Sequence, residues 1–149
     1  MKKKTIFQCT IMRGGTSKGI FLKEEDLPKD PQLRDRIILA IFGSPDIRQI
    51  DGLGGADSLT SKLALIAPSQ EADRDINYTF GAVGIDKPLV DYSANCGNIS
   101  SAVGPYAIEQ GWVKAEEPFT IVRIFNTNTQ KMIQAKVPVK RGRVILEGD

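Results

Sequence analysis

Two side chains in this sequence, Lys62 and Cys96, are of types that can move protons. Cys96 begins the triplet Cys96-Gly97-Asn98, just before a run of small and apolar residues that predicts a helix. We expect Asn98 to cap this helix, which would place the Cys96 thiol beside unpaired backbone N–H groups. These donors stabilise an anion, either the thiolate or a bound carboxylate, and Gly97 leaves room for a ligand. The alternative is an inert thiol, because free cysteine is among the most buried residue types.

Lys62 enters an apolar segment directly from the glycine-rich loop DGLGGADSLTSK (residues 51–62). A lysine in this position either extends its amine to the surface or is held in a partly dry site with a lowered pKa. In the second case it is a competent general base. The other cysteine, Cys9, lies in a strand-like segment without a neighbouring glycine or helix start, and we expect it to be packed and inert.

A second loop rich in glycine and polar residues, MRGGTSKG (residues 12–19), precedes the first by some forty positions. The backbone N–H groups and hydroxyls of either loop could bind a carboxylate, and Arg13 adds a bidentate partner for one. Neither loop is a nucleotide-binding signature. A P-loop ends in Gly-Lys-Ser/Thr, whereas here Lys18 precedes Gly19, and in the other loop Asp57 replaces the third glycine of a dinucleotide fingerprint. An ordinary turn is the alternative for each loop.

The composition excludes several kinds of site. The chain has 149 residues, a formal net charge of +2 and no histidine, so it contains neither a nucleophile–histidine pair nor a histidine-ligated zinc site. The charge is too small to argue for a nucleic-acid or membrane partner, and we expect the basic run of residues 2–4 to be a solvated start. No apolar run approaches the roughly 18 residues of a membrane-spanning helix. Two cysteines do not make a disulfide framework, so we expect a cytoplasmic protein.

The elements that must position these residues are mostly strands. One amphipathic helix is marked by Asp30 as N-cap, Pro31 in its first turn and Gly43 just past its end. The helix after Cys96 is small or apolar all round, which is typical of a buried helix, although Pro105 would kink it. Strands are predicted at residues 5–12, 20–22, 63–66, 75–85 and 143–148, with a hairpin over 118–139. Because strand pairs separate the helices, the pattern predicts an α+β fold.

Taken together, MRGGTSKG, DGLGGADSLTSK and NCGN (residues 95–98) resemble the PrpF family in order and spacing. This family includes 2-methylaconitate cis–trans isomerase, methylitaconate Δ-isomerase and 4-oxalomesaconate tautomerase. The resemblance extends from Met12 to Gly111. It implies the diaminopimelate-epimerase-like fold, in which two lobes, each a curved, mostly antiparallel sheet around a central helix, enclose the active site. Since family members carry a second lobe, residues 1–149 are expected to form the N-terminal lobe alone.

The resemblance also implies roles for individual residues. The family's catalytic lysine matches Lys62 and its catalytic cysteine matches Cys96. Segments that line the substrate site match Arg13, Gly14, Thr16, Ser17, Gly97 and Asn98. The implied reaction moves a proton between allylic carbons of a small unsaturated di- or tricarboxylic acid, without a metal, pyridoxal phosphate or nucleotide. Lys62 would serve as the proton-abstracting base and Cys96 as its acid–base partner, in an order that could reverse with the substrate.

Three functions compete at this point. The first is a cofactor-independent isomerase or tautomerase of such polycarboxylates. The second is a truncated, non-catalytic module that binds carboxylates or a partner, because the cleft would lack one wall. The third, an amino-acid racemase, is disfavoured since such enzymes pair two cysteines across the cleft. An uncovered cleft face also invites association with a second copy of the chain.

Overall fold

The computed structural model describes residues 4–148; Lys2 and Lys3 of the basic run lie outside the described residues. Within this range there are eight strands, two α-helices and a short 3-10 helix at Glu24–Asp26. The elements are β1 (Cys9–Gly14), β2 (Ser17–Lys23), α1 (Pro31–Phe42), β3 (Lys62–Pro68), β4 (Ile76–Val83), β5 (Val90–Asp91), α2 (Gly97–Glu109), β6 (Phe119–Asn126), β7 (Lys131–Lys140) and β8 (Arg143–Val144). Neither of these helices is long and apolar enough to cross a bilayer.

The strands form one sheet in the order β1-β2-β3-β4-β6-β7-β8, with β5 paired beside β4. The pairs β2–β3 and β4–β6 are parallel, and the other pairs are antiparallel. α2 packs against β1, β2, β3, β4, β6, β7 and β8, which a flat sheet could not allow, so the sheet curls around this helix. The predicted α+β class, with a curved, mostly antiparallel sheet around a central helix, is confirmed.

Apolar side chains fill both faces of the curled sheet. On the inner face Phe21, Ile66 and Tyr78 pack with α2, whereas on the outer face Ile20 and Leu65 pack with α1. Successive residues of a strand point to opposite faces, so strands that are covered on both sides read as continuous apolar runs. This double coverage explains the sequences of β2 and β3, and it fixes the strand that carries Lys62.

The α1 helix follows its sequence punctuation. Asp30 accepts a hydrogen bond from the Leu33 N–H (3.0 Å), Pro31 occupies the first turn, and Gly43 ends the helix with a φ of 81°. All three predictions are confirmed. Each of these residue types meets a local requirement of the backbone at a helix end, so the sequence alone is enough to predict it. Leu33, an apolar residue in the first turn of this amphipathic helix, is 45% exposed.

The start of α2 differs from the prediction. Cys96, with an extended backbone (φ −122°, ψ 111°), is the N-cap, and Asn98 lies inside the first turn. The expectation that Asn98 caps the helix is therefore wrong. The Asn98 side chain donates instead to Thr16 Oγ1 (3.1 Å), so a contact with the distant β1–β2 turn replaces the local cap. Pro105 is accommodated inside the helix, which continues to Glu109.

Two predicted strand boundaries are also too generous. β1 begins at Cys9 rather than at residue 5, and β8 is limited to Arg143–Val144. The hairpin across residues 126–130 is confirmed, since β6 ends at Asn126 and β7 begins at Lys131. Errors of this kind arise because β propensity marks an apolar stretch without showing how far its hydrogen-bonding partner extends.

Two glycines control the junction between the β1–β2 turn and α2. A Cβ added at Gly14 would overlap the Asn98 carbonyl oxygen and lie 3.0 Å from the Ile99 Cα. Both of these neighbours are backbone atoms and cannot move aside independently. By contrast, a Cβ at Gly97 would meet nothing within 4 Å. Gly14 therefore permits close packing, whereas Gly97 leaves open space at the start of the helix.

Gly14→Ala is expected to lower the free energy of unfolding by about 1–3 kcal/mol, because the added methyl forces α2 away from the turn. Gly97→Ala is the matched control and is expected to stay within about 0.5 kcal/mol of the unsubstituted chain, or to exceed it. Urea unfolding followed by circular dichroism measures both. Equal destabilisation by the two substitutions would contradict this account of the junction.

Candidate active site

Five chain segments meet at one end of the curled sheet. β2, β3 and α2 begin there, at Ser17, Lys62 and Gly97, while β1 and β4 end there, at Gly14 and Val83. Because β2 and β3 are parallel, both strands start at this end. β1 is antiparallel to β2 and β4 is antiparallel to β3, so the last residues of β1 and β4 lie at the same end. The residues singled out in the sequence thus converge although they are far apart along the chain.

The Lys62 ammonium lies between two of these residues. Its Nζ donates to the Cys96 Sγ at 3.2 Å and to the Ser17 Oγ at 2.8 Å. Both contacts are partly buried, so the amine is held within the site and is not simply extended to the surface.

The surroundings of Cys96 favour its thiolate. Partial burial is the largest single influence and opposes ionisation, but it is outweighed, so the pKa of the Cys96 thiol lies below its ordinary value. The lowering comes from the Ile99 N–H, from the hydrogen bond and charge of Lys62, and from the Asn98 N–H. The thiol makes no capping hydrogen bond of standard geometry, yet these N–H groups of the first turn still stabilise its charge.

With the exception of Arg13, the predicted substrate-lining residues surround this pair. Ser17 is buried against Lys62, and Thr16 and Asn98 are exposed and bonded to each other. Arg13 is exposed, and its Nε donates to the Gly15 carbonyl at 2.9 Å. Within residues 4–148 its terminal guanidinium nitrogens make no hydrogen bond, so Arg13 is not bonded to the Lys62–Cys96 pair. Its neighbours Met12 and Gly14 face α2, and strand alternation directs Arg13 to the other side of β1.

A buried polar network behind the first turn of α2 was not predicted from the sequence. Ser100 Oγ donates to the Cys96 carbonyl (2.9 Å), and the Asn95 side-chain oxygen accepts from Ser100 Oγ (3.3 Å) and from Asn126 Nδ2 (3.2 Å). Asn126 is fully buried. The network ties the residue before Cys96 to the β6–β7 hairpin. The one signal in the sequence is the repeated asparagine of residues 126–128, which also fits an ordinary turn.

Tyr78 lies beside this network. Its side chain is fully buried, and within residues 4–148 its hydroxyl makes no hydrogen bond of standard geometry. Burial, with a smaller contribution from a charged Cys96, raises the pKa of Tyr78 above its ordinary value, while neighbouring Ser100 opposes the rise. The phenol therefore stays protonated at neutral pH.

The second thiol, Cys9, is remote from the site. It is half-buried and packs against the outer apolar cluster, whereas Cys96 packs against the inner one. The sheet therefore separates the two sulfurs, and they cannot act as a pair. Within residues 4–148 no group of three or more cysteine, aspartate or glutamate side chains is placed to hold a metal ion.

A family model described as PrpF protein matches residues 3–149. The chain belongs to the PrpF family. Among PrpF relatives, it is 61% identical over 141 residues to 3-methylitaconate isomerase of Eubacterium barkeri, covering 95% of this chain and 37% of that protein. It is 53% identical over 146 residues to 4-oxalomesaconate tautomerase of Pseudomonas putida, covering 98% and 40% respectively. The chain thus spans about two fifths of the length of these relatives.

Solved structures agree with this assignment. The crystal structure of methylitaconate-delta-isomerase superposes with a TM-score of 0.94 at 60% identity, over 96% of this chain and 37% of that one. A hydroxyproline epimerase from Agrobacterium vitis superposes with a TM-score of 0.61 at 16% identity, over 93% of this chain and 38% of that one, and shows the shared fold alone. The PrpF chain described here therefore has an epimerase-like fold.

Lys62→Met should raise the pKa of the Cys96 thiol, because the neutral side chain removes the hydrogen bond and the charge that stabilise the thiolate. A thiol with a lowered pKa is more ionised at neutral pH, so losing Lys62 should slow alkylation at pH 7 by roughly three- to tenfold. The measurement is iodoacetamide alkylation between pH 5 and 10, with Cys96 resolved from Cys9 by peptide mass spectrometry.

The matched control for this experiment is Lys87→Met, which removes an exposed lysine elsewhere on the chain. Its alkylation profile should coincide with that of the unsubstituted protein. If Lys62→Met and the control gave the same profile, the contact between Lys62 and Cys96 would not set the reactivity of the thiol.

Proposed function

We propose that this chain carries the catalytic groups of a cofactor-independent isomerase or tautomerase. Its substrate would be a small unsaturated di- or tricarboxylic acid, in which a proton moves between allylic carbons. The observation that carries the proposal is the 3.2 Å contact between the Lys62 amine and the Cys96 thiol, at the open start of α2. The named activities of the PrpF relatives support the same reaction class.

The lowered pKa of Cys96 suggests how the two groups divide the work. The proposed cycle starts from a Cys96 thiolate beside a Lys62 ammonium, the pair of states in which the 3.2 Å contact joins opposite charges. The thiolate removes a proton from the carbon adjacent or vinylogous to a carboxylate, which leaves a dienolate and a neutral thiol. The Lys62 ammonium then protonates the other allylic carbon and becomes a neutral amine.

The contact between Lys62 and Cys96 also closes the cycle. After both transfers the thiol holds a proton and the amine lacks one. Since Sγ and Nζ lie 3.2 Å apart, the thiol proton can pass to the amine and restore the thiolate–ammonium pair. Ser17, which accepts from the same nitrogen at 2.8 Å, keeps the amine directed towards the site throughout. With the other order of events, Lys62 as base and Cys96 as acid, the same pair carries the reverse reaction.

Binding of the carboxylates falls to the rim of the site. The backbone N–H groups of Gly97 and Asn98 belong to the first turn of α2, where no earlier carbonyl of the helix can pair with them, and the Asn98 N–H is shared with the Cys96 sulfur. A carboxylate there is stabilised by these donors and by the helix dipole. The same donors and dipole would stabilise the negative charge that spreads onto the carboxylate in the dienolate.

The relatives narrow the substrate to a class. Methylitaconate, oxalomesaconate and methylaconitate are each small, unsaturated and carry more than one carboxylate, which suits a rim of anion-binding groups. Because the chain spans about two fifths of its relatives, the choice among these acids depends on contacts beyond the residues described here. A cytoplasmic location stays a prediction that rests on the two free cysteines.

A chimeric enzyme tests the proposal directly. This chain replaces the matching segment of the Eubacterium barkeri 3-methylitaconate isomerase, with which it shares 61% identity. We expect the chimera to isomerise 3-methylitaconate and to incorporate deuterium from heavy water, as followed by proton NMR. Lys62→Met and Cys96→Ser should each lower kcat by about 100-fold or more, because each removes an acid–base group.

Lys87→Met is the control and should retain the rate of the chimera. Full activity in either the Lys62 or the Cys96 variant would overturn the assignment of these residues. A folded chimera without turnover, together with a rise in Tm of the 149-residue chain on adding citrate, would favour the non-catalytic carboxylate-binding module instead.

A further inference from the structure

One buried amide side chain lies in the connection between α1 and β3, just before the glycine-rich loop that leads to Lys62. Gln49 is 1% exposed, although its neighbours Arg48 and Ile50 are exposed. Its Nε2 donates to Ser61 Oγ (2.8 Å) and Ser44 Oγ (3.1 Å), and its Oε1 accepts from the Ala56 N–H (2.8 Å). Both N–H donors and the carbonyl acceptor of the Gln49 amide thus have hydrogen-bond partners between α1 and β3, as a buried polar group requires.

The contact with Ser61 connects Gln49 to the site. Ser61 is buried, and its Oγ donates in turn to the Val83 carbonyl at 2.7 Å. The Val83 N–H donates back to the Ser61 carbonyl at 3.0 Å. These bonds fix the residue directly before Lys62 to the last residue of β4. The Gln49 side chain therefore holds the point at which the chain leaves the loop and enters β3.

The backbone of the loop is arranged around this side chain. Gln49 has a φ of 44°, in the left-handed region that a non-glycine residue rarely adopts. A Cβ at Gly54 would overlap the Gln49 amide, so glycine is required there to admit the side chain. The Gln49 carbonyl accepts from the Gly52 N–H at 3.2 Å. A strained residue that its surroundings hold in place is typical of a functional site.

We propose that Gln49 is a positioning residue that sets Lys62 against Cys96. Its amide fixes Ser61, Ser61 fixes the start of β3, and the first residue of β3 directs its amine to Ser17 Oγ and Cys96 Sγ. Gln49 makes no hydrogen bond to either of the reacting groups and acts on them through Ser61 and the start of β3. The catalytic meaning of this role rests on the proposed function, but the geometry it controls is measurable without turnover.

Two substitutions at Gln49 distinguish the role of its side-chain amide from the role of its backbone conformation. Gln49→Glu keeps the shape but replaces the amide donors with an acceptor, so the Ser61 hydroxyl must turn from the Val83 carbonyl to the carboxylate. Gln49→Gly removes the side chain and tolerates the positive φ. Gln130→Gly is the matched control, because Gln130 also has a positive φ (56°) and is an exposed residue of the β6–β7 turn.

The readout is the pH profile of Cys96 alkylation in the 149-residue chain, resolved by peptide mass spectrometry. Both Gln49 variants should slow alkylation at pH 7 by roughly three- to tenfold, as expected when the amine moves away and the pKa of the Cys96 thiol rises. Gln130→Gly should leave the profile unchanged. The circular dichroism of all three variants should match that of the unsubstituted chain.

Folded Gln49 variants with an unshifted profile would overturn the proposal. Ser61→Ala provides a milder second test, because it removes only the hydroxyl between Gln49 and Val83 and is expected to give the same shift. If this variant and both Gln49 variants unfolded, Gln49 would be a residue of general stability and the positioning role would be rejected. This experiment measures thiol reactivity and the chimera measures catalysis, so the positioning role of Gln49 and the proposed isomerase function can be rejected independently.

Discussion

The contact between Lys62 and Cys96 is the constraint on which the site depends. Partial burial alone would raise the pKa of the thiol, and a fixed cation and fixed N–H donors outweigh this effect and lower it. Neither helix nor sheet can provide all of these groups by itself. The curled sheet meets the requirement because it encloses α2 and brings the start of β3 to the start of that helix.

Close approach of backbones makes this arrangement possible. Gly14 lets the β1–β2 turn rest on the first turn of α2, and Gly54 makes room for a buried amide in the loop before β3. Buried polar side chains then fix the segments that lead to the two residues, with Gln49 bonded to Ser61 before Lys62 and Asn126 bonded to Asn95 before Cys96. Packing therefore accounts for part of the density of glycine and small polar residues around the site.

The sequence predicted those features of the fold that depend on neighbouring residues, such as helix ends and helix burial. Asp30, Pro31 and Gly43 bounded α1 correctly, and the apolar character of α2 correctly placed it inside the sheet. The choice between Asn98 and Cys96 as N-cap could not be made in this way, because the partner of Asn98 lies 82 positions away. The pairing of Lys62 with Cys96 came from resemblance to a family, since spacing along a chain does not show which side chains meet. Gln49 and the asparagine network carry no motif, and only the three-dimensional structure shows them to be buried and bonded.

The cation beside Cys96 and its polar partner come from distant parts of the chain, with Lys62 lying 34 positions before Cys96 and Ser17 a further 45 before Lys62. Until β3 has formed and α2 has docked, Lys62 is not near the sulfur, and the N–H groups of Asn98 and Ile99 are not fixed in a helix. The thiol of a newly made or unfolded chain is therefore an ordinary one, largely protonated and slow to oxidise. Cys96 therefore becomes more susceptible to oxidants only as the native structure forms. In the unfolded chain, where the thiol is most accessible to solvent, Cys96 is in its least reactive form.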